Sequence, residues 1–186
     1  ALRPEGDKQL RAVGHYWERL VSGYDVPEVS ASATRLGGKI RIGIVSANMC
    51  DNGVGRWIEG LAEAIDRDRF DVTIIRPPTG EDDITARIDE HADLVVPLPL
   101  DPLHSARVIA GLGLDVLHYV DPQADAYTML LASWRLAPLQ ISGGGIAATS
   151  GLSNIDYHLI AEDWETAGGE KRFSEKLVRL PGLFVN

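Results

Sequence analysis

Two glycine-bearing segments stand out as places where backbone, more than side chain, can meet a ligand. Ser142 to Gly151 reads Ser-Gly-Gly-Gly-Ile-Ala-Ala-Thr-Ser-Gly. Three successive glycines strip the Cβ atoms from one turn, which lets the main chain approach a bound molecule closely. Thr149 and Ser150 add hydroxyl donors to the same stretch. The same composition also suits a flexible crossover. Ala47 to Gly55 reads Ala-Asn-Met-Cys-Asp-Asn-Gly-Val-Gly. Backbone N–H groups entering a helix there favour an anion such as a phosphate, although the glycines equally serve a tight turn. With only Gly53 and Gly55 in place, the G-x-G-x-x-G fingerprint of a dinucleotide site is absent.

Other reactive groups carry less. Asp121 and Asp125 have the chemistry of catalytic carboxylates, or of caps on the helix that follows. His118 falls inside an apolar run and reads as a core residue or as one aimed at a cleft. His15, His91, His104, His118 and His158 form no metal-spaced pair, so no metal is expected. Cys50 has no neighbouring histidine motif and reads as packing, not as a nucleophile. No P-loop, kinase set, zinc signature or Ser-His-Asp order is present, and the residues alone name no catalytic group.

The elements that must position these loops follow from periodicity. Residues 7–23 predict an amphipathic helix with Leu10, Val13, Trp17, Leu20 and Val21 on one stripe. The polar stretch 24–38 reads as a linker, with the helix leaning on the domain from outside its sheet. Buried strands are expected over Lys39–Ser46, Phe70–Ile75, Leu94–Leu98, Leu114–Val120, Leu139–Ser142 and Tyr157–Ala161. Between them fall a helix with stripe Val54, Trp57, Ile58, Leu61 and Ile65, and others opened by Asp82-Asp83 and Asp101-Pro102. Strand–helix alternation predicts an α/β, Rossmann-like, doubly wound parallel sheet. Ligands then belong beyond the carboxyl ends of the strands, at loops 47–53, 76–82, 121–125 and 142–151.

Composition sets outer bounds. The 186 residues carry a net charge of −9, which disfavours nucleic acid as a partner. A single cysteine excludes an intrachain disulfide and fits a reducing, cytoplasmic setting. No apolar run approaches the roughly 18 residues of a membrane span. The opening Ala1-Leu2-Arg3-Pro4-Glu5 lacks a signal-peptide core and an initiator methionine, which fits a processed or excised piece.

Several strings, in order, carry a resemblance: Lys39–Ser46 (KIRIGIVS), Arg69–Val72 (RFDV), Asp115–Leu117 (DVL), Arg135–Gln140 (RLAPLQ), Thr149–Gly151 (TSG), Ile155–Tyr157 (IDY) and Phe173–Pro181 (FSEKLVRLP). Over about Lys39 to Phe184 the chain resembles the catalytic region of the O-GlcNAc transferase family, including its bacterial protein N-glycosyltransferase relatives. The resemblance implies one lobe of a two-lobed, GT-B-like enzyme that moves a sugar from a UDP-sugar to Ser, Thr or Asn of an acceptor protein. It implies residues 1–38 as helix and linker and 39–186 as the N-terminal catalytic lobe. The partner is then an absent C-terminal lobe that grips most of the nucleotide. UDP-sugar is the donor substrate, with no cofactor. Asn52, Gly53 and Val54, with Gly144, Gly145 and Thr149, become donor-side contacts; the catalytic base is left unassigned. A second reading is a non-catalytic protein-binding module on the same fold, for which Leu183, Phe184 and Val185 would offer an apolar patch. A third is a free-standing nucleotide-binding domain.

Overall fold

The structure is a computed structural model that describes residues 4–30, 37–165 and 168–181. The patch anticipated at Leu183, Phe184 and Val185 lies outside the described residues. Among the described residues, five α-helices and seven strands follow in the order α1 (Pro4–Val21), β1 (Ile40–Val45), α2 (Gly53–Ala64), β2 (Phe70–Arg76), α3 (Asp83–Glu90), β3 (Leu94–Pro97), α4 (Pro102–Gly111), β4 (Val116–Tyr119), α5 (Ala126–Ala132), β5 (Leu139–Gly143), β6 (Tyr157–Ala161) and β7 (Lys176–Leu180). All strands pair in parallel, in the order β3-β2-β1-β4-β5-β6-β7. The expected Rossmann-like sheet is therefore present. β7, which the periodicity did not predict, extends it by one edge strand.

Side-chain alternation distributes the core over both faces. Ile44 and Ile74 point to the layer of α2 and α3, where they pack with Ile58, Ile84 and Ile88. Val45 and Ile75, one residue on, point to the opposite layer with Ala106, Ile109 and Leu131 of α4 and α5. The starts of α2, α3, α4 and α5 are each fixed by an acceptor in the preceding loop. Asn52 caps α2, Asp82 forms a capping box on α3, Asp101 caps α4 beside Pro102, and Asp125 caps α5. Asp125 is thus assigned as a cap.

The alternation breaks after β5. No α-helix joins β5 to β6; the crossover is an irregular loop, residues 144–156. α1 packs against that loop. Gly14 lies so close to Gly151 that a Cβ built on Gly14 would stand 2.2 Å from the Gly151 carbonyl oxygen. A Cβ on Gly151, whose φ is +76°, would stand 2.3 Å from the Leu10 carbonyl oxygen. Arg11 donates to the carbonyls of Lys171 and Phe173 at 2.6 and 2.9 Å. Glu18 accepts from Ser153 N and Oγ at 2.5 and 2.7 Å. Val21 is buried and Trp17 packs on the core cluster that holds Met129, Leu152 and Ile155. The first helix is accordingly built into the domain, more closely than a leaning element. A valine at Gly14 is expected to prise α1 off the crossover, at roughly 1–3 kcal/mol. Thermal melting and limited proteolysis will read this as a lower Tm with early cleavage within residues 8–21; an unchanged digestion pattern would contradict the contact.

Candidate functional site

Two sizeable cavities occupy opposite ends of the sheet. The larger, about 530 Å³, sits where the strands begin and is lined by Ile40, Val116, Leu139, Tyr157 and Lys176, the first residues of β1, β4, β5, β6 and β7. The other, about 450 Å³, sits beyond the carboxyl ends, lined by Asn48, Asn52, Gly53, Val54, Gly144, Gly145 and Trp164. Parallel α/β sheets receive ligands at the carboxyl end, where strand order reverses. Here the reversal lies between β1 and β4, and the second cavity flanks it.

Five sequence-predicted contacts, Asn52, Gly53, Val54, Gly144 and Gly145, line this one cavity from loops about ninety residues apart. Thr149 does not. It is buried, and its hydroxyl donates to Glu175 Oε2 at 2.7 Å. Glu175, itself buried, also accepts from Ser150 N at 2.7 Å, from the Ser150 hydroxyl and from Ser174 Oγ at 3.1 Å. Thr149 and Ser150 therefore anchor the crossover to the start of β7.

The floor of the cavity is set by contacts beneath it. Gly144 has φ +108°, and a Cβ there would lie 2.5 Å from the Trp57 ring, so this position accepts only glycine without rearrangement. Gly145 N donates to the Val120 carbonyl at 3.2 Å, which ties the turn to the end of β4. Under the turn, His118 donates from Nε2 to the Gly143 carbonyl at 2.7 Å and meets Trp57 edge-on, with centroids 5.8 Å apart. Burial holds the His118 imidazole neutral, down to about 4, against the opposing pull of that hydrogen bond. His158 is also buried and shifted down by desolvation, with Nδ1 at 2.8 Å from Ser142 Oγ. Both histidines belong to the scaffold beneath the glycines.

Asp121 joins the two sides of the switch point. It is 1% exposed. One oxygen accepts from Ser46 Oγ at 2.6 Å and the other from Asn48 Nδ2 at 2.6 Å. Burial raises its pKa, while these two bonds oppose the shift. Asp121 thereby orients Asn48, which lines the cavity and which the sequence reading passed over. Trp164, also unforeseen, arrives from the 3-10 turn Glu162–Trp164 after β6. No periodic signal marks it, because it follows a short strand in an irregular segment.

The amino end of α2 is closed by its own cap. Asn52 Oδ1 accepts from Val54 N and Gly55 N at 2.8 and 2.9 Å, and the Asn52 carbonyl accepts from Arg56 N at 3.1 Å. The phosphate-binding use of these amides anticipated from the sequence meets donors already engaged. Cys50 is a half-buried free thiol that accepts from Asn52 Nδ2 at 3.1 Å. Among the described residues no group of His, Cys, Asp and Glu is placed to hold a metal ion, and no helix is long and apolar enough to cross a membrane.

The seven-stranded parallel sheet with helices on both faces is a Rossmann-like α/β fold. Among solved structures, the chain is similar to an O-GlcNAc transferase of Thermobaculum terrenum, solved as a point mutant. The TM-score is 0.84 at 21% identity, over 98% of this chain and 35% of that one. The likeness is one of fold, and the chain spans about a third of that protein's length. No protein-family model and no curated protein sequence matches the chain.

The buried His118 makes the fold acid-sensitive. Its folded pKa of about 4 lies below the ordinary 6.5, so the unfolded chain takes up the proton first. Stability is then lost as pH falls from 6.5 toward 4, by about 3 kcal/mol over that span. His118→Gln keeps a donor for Gly143 and cannot titrate. Urea unfolding at pH 7 and at pH 4.5 is expected to show a steeper loss for the natural chain; equal losses would refute a neutral buried His118.

Proposed function

We propose that residues 39–186 form the N-terminal lobe of a GT-B-like, UDP-sugar-dependent protein glycosyltransferase, with residues 1–38 as its connecting helix and linker. The transferred group is GlcNAc or a hexose, and the acceptor is Ser, Thr or Asn of a protein, in the cytoplasm. The donor lies between this lobe and a second, C-terminal lobe, so the 186-residue chain by itself does not turn over. The observation that carries this reading is the convergence of Asn52, Gly53, Val54, Gly144 and Gly145 on one cavity beside the β1/β4 switch point. The similarity in fold to an O-GlcNAc transferase, over 35% of that chain, supports it.

One feature favours the alternative of a non-catalytic binding module. None of the residues lining the cavity titrates, so the general base of a transferase has to come from elsewhere.

Gly53 provides a clean test, because it lines the cavity and a Cβ there meets nothing within 4 Å. In the full-length protein, Gly53→Phe is expected to lower sugar transfer from UDP-GlcNAc or a UDP-hexose at least about tenfold, with Tm unchanged. Absence of transfer and of donor hydrolysis by the unmodified full-length protein with every common UDP-sugar would sink the transferase reading. Capture of a stable partner that is not glycosylated would then support the module.

A further inference from the structure

We propose that His158 and Glu175 form a proton-operated latch on the 144–156 crossover, closed while His158 is neutral and released when it takes up a proton. His158 stands on β6 opposite Ser142 of β5 and is 1% exposed. Its Nδ1 lies 2.8 Å from Ser142 Oγ, and its ring leans on Phe173 with centroids 5.0 Å apart. Nε2 is buried and meets no hydrogen-bond partner among the described residues. Glu175 is also buried. It accepts from Thr149 Oγ1 at 2.7 Å, Ser150 N at 2.7 Å, the Ser150 hydroxyl and Ser174 Oγ at 3.1 Å. These bonds fasten the crossover to the start of β7, whatever molecule the cavity receives.

A neutral ring can leave one nitrogen unbonded at modest cost. An imidazolium in the same place would carry a charged N–H with no acceptor, which is a far larger penalty. Two routes relieve it. Water can reach Nε2 once the crossover lifts, because the backbone of Ile146, part of that crossover, is beside the ring. Alternatively Glu175, whose charge already pulls toward the protonated ring, turns to it and lets go of Thr149 and Ser150. Either route undoes the same fastening, so the Glu175 contacts are the two-state element. The other charged or titratable groups nearby are committed elsewhere. His118 on β4 stays neutral down to about 4. Arg11 of α1 donates to the Lys171 and Phe173 carbonyls, Arg172 pairs with Glu165, Arg135 holds Asp156, and Lys176 lies over Tyr157. Burial lowers the His158 pKa from 6.5 and outweighs the attraction of Glu175. The closed state therefore loses ground as pH falls below 6.5, by about tenfold per pH unit until the buried ring itself titrates.

The latch is tested on the whole protein by NMR-detected hydrogen exchange at pH 7.5 and 5.5, corrected for the intrinsic pH dependence of exchange. The reporters are the Ser150, Gly151 and Leu152 amides, which donate to the Glu175, Thr149 and Ser150 side chains. Their protection is expected to fall about tenfold at pH 5.5, while the amides of β1 and β2 keep theirs. His118→Gln should leave this local loss in place, and His158→Gln should abolish it. A loss that persists in His158→Gln, that vanishes in His118→Gln, or that comes only with exchange of the whole sheet would overturn the proposal. Should His158→Gln fail to fold, titration of the His158 ring by NMR in the natural protein decides. A midpoint below 6.5 alongside the local loss supports the latch. A midpoint at or above 6.5 refutes it, because a proton that costs the closed state nothing cannot release it.

Discussion

The geometry of the domain depends on how the chain returns from the top of β5 to the bottom of β6 without a helix. A parallel connection must cross the full height of the sheet. Here residues 144–156 do so as irregular chain whose polar backbone has to be satisfied piece by piece. Val120 holds the turn at Gly145, Gln123 holds Ala148, and Glu175 holds Thr149 and Ser150. The lower end is closed by Asp156, which receives both Arg135 guanidinium nitrogens at 2.7 and 3.1 Å and also Gln140 N at 2.8 Å. The side-chain fastenings are all buried or half-buried.

This economy explains the role of α1. A helix between β5 and β6 would normally shield the core on that side. In its place a helix from the far end of the sequence seats Gly14 against Gly151 and buries Val21. Segments separated by more than a hundred residues thus close one layer. Both glycines are there because two backbones meet, and Gly151, at φ +76°, also takes a left-handed conformation that suits glycine.

Periodicity made the sheet legible. β1, β2, β4, β5 and β6 are short apolar runs bounded by caps and turns, and the cap residues Asp82, Asp101 and Asp125 sit where their side chains are needed. β7 escaped because Lys176 and Arg179 interrupt its apolar pattern at an edge, where one side is open to solvent. α1 was legible as a helix but not as part of the core, since its closest approach to the crossover is made by glycines, which carry no hydrophobic signal. The strings that carried the resemblance turn out to bind one another. Arg135 and the Gln140 amide of one string bind Asp156 of another, and Thr149-Ser150 meets Ser174-Glu175. They encode scaffold, and this is why they revealed the fold more readily than the chemistry. The cavity was legible in its glycines and in Asn52. It was not legible in Asn48, whose place depends on Asp121 across the switch point, nor in Trp164, which only the packing of an irregular turn brings round.

Cys50 gives the cleft a built-in reporter. It is the chain's one sulfhydryl, half-buried and in contact with Asn52 at the cavity wall. A maleimide or nitroxide reagent therefore attaches at a single point beside the mouth. Its rate of attachment, or the motional freedom of the attached label, follows occupancy of the crevice without any engineered substitution.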